Sequence, residues 1–170
     1  MKNIYLVGFM GTGKSTVGKI LSQRLNKEFV EMDEVIEARE GKPITEIFAS
    51  SGEPYFRILE KNLLKEIALK SDTIVSCGGG LVCNQENLDI LKASGLVLNL
   101  TASPEVIYQR IKEFTNRPIL NVKEPLVKIQ ELFKQRQPFY NKAHLSLDTE
   151  VKSPEVIALE IEKIISKIKV

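Results

Sequence analysis

Two cysteines, Cys77 and Cys83, and a single histidine, His144, are all that this 170-residue chain offers in soft metal ligands, which excludes a thiolate and imidazole metal cluster. Two thiols allow at most one disulfide, and a reduced, cytoplasmic setting fits them best. Both are expected to be small buried apolar residues, and His144 a structural one. No apolar run is long enough to cross a membrane, and the run at 4–7, ended by Gly8, is far shorter than the hydrophobic region of a signal peptide. Charge of one sign is lacking too, since the formal net charge is +2, which announces no global polyanion surface. Locally, residues 101–142 carry eight Lys/Arg against four Glu, which reads equally as a solvated helical face or as a binding segment. Around Phe133, Phe139 and Tyr140 the aromatics are too few for a stacking platform, so neither nucleic acid nor membrane is expected as a partner.

What is present fits one domain with a full core over 1–170. Short β-type runs at 4–7, 29–32, 73–77, 96–100 and 145–149 alternate with segments of helical period at 14–26, 34–40, 45–49, 54–70, 85–93, 104–114, 126–140 and 154–168. That alternation is the pattern of βαβ units, an α/β fold whose parallel sheet is covered on both faces. Ser103-Pro104 and Ser153-Pro154 each put a capping residue before a proline suited to a first helical turn. The only long stretch without period, 115–125, reads as a mobile loop.

Residues 8–15 read Gly8-Phe9-Met10-Gly11-Thr12-Gly13-Lys14-Ser15, a G-x-x-x-x-G-K-S phosphate loop between an expected strand and an expected helix. The glycines let backbone N–H groups turn inward around phosphate oxygens, and the helix that follows directs its positive end at the anion. Lys14 then reaches the β- and γ-phosphates and Ser15 offers a hydroxyl to Mg²⁺. The motif predicts a nucleotide site without separating a kinase from a switch or a motor.

The second strand ends in Glu31-Met32-Asp33, and on an extended chain Glu31 and Asp33 point to the same face. One reading makes Asp33 the acceptor of a hydroxyl proton and Glu31 a metal holder; the other makes Asp33 the cap of the following helix. Arg57 and Glu60, three apart on a helical segment, are spaced to pair. Gly78-Gly79-Gly80 directly after a strand is costly unless a ligand or another backbone comes close.

Together these residues resemble the shikimate kinase family. The resemblance rests on the phosphate loop, Phe29-x-x-x-Asp33, Gly52-Glu53-x-x-Phe56-Arg57, Gly78-Gly79-Gly80, Arg117-Pro118-Ile119-Leu120 and Arg136-x-Pro-x-Tyr140, in the family's order from residue 8 to residue 140. It implies a three-layer α/β/α P-loop kinase fold with a five-stranded parallel sheet in order 2-3-1-4-5. It implies phosphoryl transfer from ATP to the 3-hydroxyl of shikimate in aromatic amino-acid (chorismate) biosynthesis. By the same resemblance Asp33, Lys14 and Arg117 would be catalytic, and Gly11, Thr12, Gly13, Lys14, Ser15, Thr16, Arg110, Arg117, Ser153 and Pro154 would bind ATP. Asp33, Arg57, Gly78, Gly79, Gly80 and Arg136 would bind shikimate, with the arginines clamping its carboxylate. Ser15 and, through water, Glu31 would hold Mg²⁺. A helical region at about 33–60 would bind substrate, a lid at about 112–125 would close over it, and the enzyme would work as a cytoplasmic monomer. The chain departs from the family pattern in having Glu31 where Asp is usual and Cys77 where a small hydroxyl residue usually precedes the glycines. Gluconate and nucleoside monophosphate kinases on the same scaffold are the rival readings, as is a regulatory nucleotide-binding module.

Overall fold

The computed structural model describes residues 2–113 and 122–168. Five strands, β1 (Asn3–Val7), β2 (Glu28–Glu31), β3 (Thr73–Ser76), β4 (Gly95–Thr101) and β5 (Leu145–Asp148), form one parallel sheet in order β2-β3-β1-β4-β5. Seven helices connect and cover it: α1 (Lys14–Leu25), α2 (Met32–Glu40), α3 (Ile44–Ala68), α4 (Gln85–Ser94), α5 (Pro104–Ile111), α6 (Pro125–Tyr140) and α7 (Pro154–Ile168).

The layering follows from strand alternation in a sheet buried on both sides. From β1, Ile4 and Leu6 join a core with Val17, Leu21, Ile157 and Ile161, which puts α1 and α7 on one face. Tyr5 and Val7 join Ile47, Leu64, Leu91, Ile107 and Ile129 on the other, under α3 to α6. Asn3 is fully buried and satisfied: its amide donates to Ile67 O and Lys70 O while its oxygen accepts from Thr73 N, tying the end of α3 to the starts of β1 and β3.

One expected break is kept and two elements differ from the sequence expectation. The expected helices 45–49 and 54–70 are two halves of α3, broken at Gly52, whose φ of 79° and ψ of 168° are open to glycine almost alone. β2 stops at Glu31 and α2 starts at Met32, a residue that the core buries fully and that therefore reads in sequence as strand. A short 3₁₀ turn, Leu81–Cys83, follows the triple glycine. Cys77 is buried as expected, whereas Cys83 is only partly covered; neither forms a disulfide.

Candidate active site

Because β1 and β3 are neighbours, with Leu6 in register with Ser76, the loops leaving their carboxyl ends emerge side by side. The loop after β1 is the phosphate loop. Gly13 has a φ of 91°, a conformation that side chains resist, and it caps α1 so that the helix begins at Lys14. Lys14 is nearly buried and donates from Nζ to Gly8 O and Phe9 O at 3.0 and 2.9 Å. Thr12 is wholly buried and donates to Phe9 O, so it shapes the loop from within.

A cavity of about 420 Å³ opens over this loop and is lined by residues of 10–17 together with Glu31, Asp33, Ser76, Gly79, Arg110 and Pro154. Arg110 crosses its far side, donating to Gly11 O at 3.3 Å and to Thr149 Oγ1 at 3.0 Å, and so ties the loop after β5 to the phosphate loop. Ser153 stands one residue outside this lining and accepts from Val156 N as a helix cap, while Pro154 is in the wall.

Glu31 and Asp33 both reach this cavity, although not by the expected route. The chain turns into α2 after Glu31, so their approach comes from a strand end and a first helical turn. The cap position itself is Glu31, without a side-chain cap bond, which also removes Asp33 from the capping role. Burial pushes the Glu31 carboxyl above its ordinary value; Ser15 and Ser76 pull it down, Asp33 raises it and Lys14 lowers it. Its Oε2 is buried without a hydrogen-bond partner.

The loop after β3 carries Gly78, Gly79 and Gly80 and separates this cavity from a second one of about 360 Å³, lined by Glu53, Arg57, Gly80, Cys83, Arg136 and Phe139 among others. Gly79 faces the first cavity and Gly80 the second. A Cβ on Gly80 would stand 2.5 Å from both Nη1 and Nη2 of Arg57, so only glycine lets that guanidinium lie against the loop. Arg136 comes from α6 and lies over the Phe9 ring, 5.8 Å from its centroid, which joins the second cavity to the phosphate loop. The two arginines that sequence places 79 residues apart thus share one wall.

Three residues that hold Arg57 or the glycine loop in place had no site role in sequence, beyond the spacing of Glu60 to Arg57. Glu60 is 0% exposed and accepts from Arg57 Nη1, and burial raises its pKa to about 7 against the pull of that arginine. Glu53 accepts from Arg57 Nε and Nη2 at 3.0 and 2.7 Å. Tyr140 donates to Gly79 O at 2.5 Å. The i to i+3 and i to i+4 spacings to Arg57 were readable as pairs; the burial that gives Glu60 its chemistry was not. His144 lies at the sheet, where Nδ1 accepts from Val97 N at 3.0 Å, and burial lowers its pKa. Arg117 and most of the expected lid lie outside the described residues.

A family model described as shikimate kinase matches residues 10–168. The chain is 46% identical over 163 residues to shikimate kinase of Thermodesulfovibrio yellowstonii, covering 96% of this chain and 94% of that one. It is 44% identical over 169 residues to shikimate kinase of a Sulfurihydrogenibium species, covering 99% of each. Its fold superposes with a TM-score of 0.95 on shikimate kinase from Acinetobacter baumannii in complex with shikimate, at 36% identity, over 100% of this chain and 96% of the other.

Proposed function

The chain belongs to the shikimate kinase family, and from that membership we propose how its residues divide the transfer of a phosphoryl group from ATP to shikimate. The enzyme phosphorylates the 3-hydroxyl of shikimate with ATP, giving shikimate 3-phosphate and ADP, a step of aromatic amino-acid biosynthesis. In the proposed division the first cavity takes ATP and the second takes the acid, so the reacting hydroxyl and the γ-phosphate meet beside Gly79. The observation that carries this reading is the sharing of one small cavity by Arg57, Arg136 and Gly80, directly against the phosphate-loop cavity. Planar guanidiniums match a carboxylate, and a backbone N–H at Gly80 adds a donor without bulk.

Asp33, reaching the first cavity beside the glycine loop, accepts the proton of the 3-hydroxyl as its oxygen bonds to the γ-phosphorus. The bond to the β–γ bridging oxygen breaks and ADP leaves. Lys14 and the inward N–H groups of Gly11 to Thr16 stabilise the charge that builds on the phosphates, and Arg117 joins them from the lid at about 112–125. Arg110 with Ser153 and Pro154 borders the adenine. Gly78 and Gly79 complete the acid-binding loop, and residues about 33–60 form the substrate-binding region.

The residues present suit Mg²⁺ as the divalent ion. Among the described residues no group of three or more His, Cys, Asp or Glu gathers into a cage, which fits an ion held by nucleotide phosphates, the Ser15 hydroxyl and water. The orphaned Oε2 of Glu31 is the acceptor that such a hydrated ion would use. When bound, the ion neutralises charge on the β- and γ-phosphates. The reading places the enzyme in the cytoplasm as a monomer; its two unpaired cysteines suit a reducing compartment, and no described helix is long and apolar enough to cross a membrane.

The test is ADP release from ATP and Mg²⁺ with shikimate, quinate, gluconate or AMP offered in turn. Shikimate alone is expected to raise the rate by orders of magnitude. Equal stimulation by AMP or gluconate would overturn the substrate, and a folded Arg136→Ala variant with unchanged shikimate KM would overturn the clamp.

A further inference from the structure

The acid cavity is not the cationic pocket that two arginines suggest. Arg57 is held on one edge by Glu53 and at Nη1 by Glu60, and Asp33 stands close by, with its Oδ1 and Glu60 Oε1 both crowding the space where Gly78 has no side chain. Glu60 therefore lies among three carboxylates, its own with those of Asp33 and Glu53, and Arg57 and Arg136 are the cations that hold its charge down. The docking of one more carboxylate adds a fourth. Glu53 can disperse its share, because its side chain is 58% exposed. Glu60 has no such outlet: it is wholly buried, and its Oε1 has no hydrogen-bond partner.

We propose that Glu60 takes up a proton from solvent when the substrate carboxylate docks on Arg57 and Arg136, so that the complex holds this carboxyl neutral. Protonation frees the charge of Arg57 for the substrate and turns an orphaned acceptor into a donor aimed at Asp33 and the glycine loop. The groups facing Glu60 are Arg57 on its own helix, Asp33 from α2, Arg136 from α6, Cys77 at the end of β3 and Cys83 in the 3₁₀ turn. Both thiols have pKa values raised by burial and stay neutral, so the three charged groups decide the outcome. In the free enzyme burial already lifts Glu60 to about 7, and a substrate anion competing for Arg57 pushes further the same way. The inference rests on the arginine clamp proposed above.

Calorimetric titration of the enzyme with shikimate, in buffers that differ in ionisation enthalpy, counts the protons exchanged. At about pH 8 wild type should take up about half to one proton per shikimate bound, and its Kd should rise as much as about tenfold per pH unit above Glu60's free-state pKa of about 7. Glu60→Gln should show neither the uptake nor the slope. Infrared difference spectra of wild type give a readout independent of that variant: shikimate should bring in the carbonyl stretch of a protonated carboxyl. Binding without proton uptake and without that band, or equal uptake by folded Glu60→Gln, overturns the inference while the clamp stands. Undiminished shikimate affinity in both Arg57→Ala and Arg136→Ala overturns the clamp and the inference with it.

Discussion

The hydroxyl of Tyr140 is buried and donates to the carbonyl of Gly79, fixing the tilt of the Gly79–Gly80 peptide and so the aim of the Gly80 N–H. Burial raises its pKa, which keeps it a donor at working pH. Tyr140→Phe removes that one bond and strands a carbonyl, about 1 to 2 kcal/mol, so the shikimate KM should rise about fivefold to thirtyfold with the ATP KM little changed. Steady-state rates with each substrate varied would decide, and a rise confined to ATP would refute the positioning role. Glu31→Asp should keep activity within about tenfold, whereas Glu31→Ala should weaken Mg²⁺ affinity about 10- to 100-fold. A wild-type Mg²⁺ response in Glu31→Ala would leave Glu31 as nothing more than a strand-end carboxylate. Glu60 also marks the pH dependence of stability. Its folded pKa, about 7, lies above the ordinary 4.5, so between those values the native state binds more proton than the unfolded chain. Native stability from this group is therefore lost as pH rises through that window, by on the order of 3 kcal/mol in all. Unfolding free energies of substrate-free enzyme at about pH 5 and 8 should show this loss in wild type and a smaller one in Glu60→Gln; equal slopes would contradict it. The part given to Glu31 is what the family resemblance already implied; the behaviours of Tyr140 and Glu60 were not legible in sequence, because each depends on burial or on a partner brought from elsewhere in the chain.

The break in α3 acts at the scale of an element. Gly52 holds a conformation outside the reach of other residues, although a Cβ there would meet nothing nearer than Pro54 Cδ at 3.5 Å. Gly52→Ala should therefore cost about 1 to 3 kcal/mol from backbone strain alone, seen as a melting temperature lower by about 2 to 4 °C per kcal/mol. An unchanged melting temperature would mean that the chain relaxes into an unbroken helix. This break could be read in advance, since Gly52-Glu53-Pro54 stops one helical period and starts another. So could the starts of α5 and α7, announced by Ser103-Pro104 and Ser153-Pro154. The passage from β2 to α2 could not: Met32 is apolar because the core demands it, and apolarity does not distinguish the last residue of a strand from the first of a helix. Arg110 shows the complementary limit. Its reach to Gly11 and Thr149 spans 99 and 39 residues, so the resemblance supplied its place beside the nucleotide and only the folded chain supplies the bonds.

Across the whole molecule, the sheet order brought together what sequence could only place in line. The alternating pattern announced parallel strands, and family resemblance supplied their order; no local signal says that β3 is inserted between β2 and β1. That insertion makes the phosphate loop and the glycine loop neighbours. The Cys77 N–H donates to Leu6 O at 3.0 Å in the last rung before both loops diverge, with fully buried side chains around it. Its amide should exchange hydrogen only through global unfolding, tracking denaturant as the slowest amides do. Exchange insensitive to denaturant would reveal local opening at the rung. A firm rung has a metrical consequence. Strands in a sheet lie about 4.8 Å apart, so the bases of the donor and acceptor loops are spaced by the repeat of the backbone itself, like two jaws of a fixed gauge. Side chains such as Cys77 can then be exchanged around the jaws without resetting the gap that the transferred phosphorus must cross.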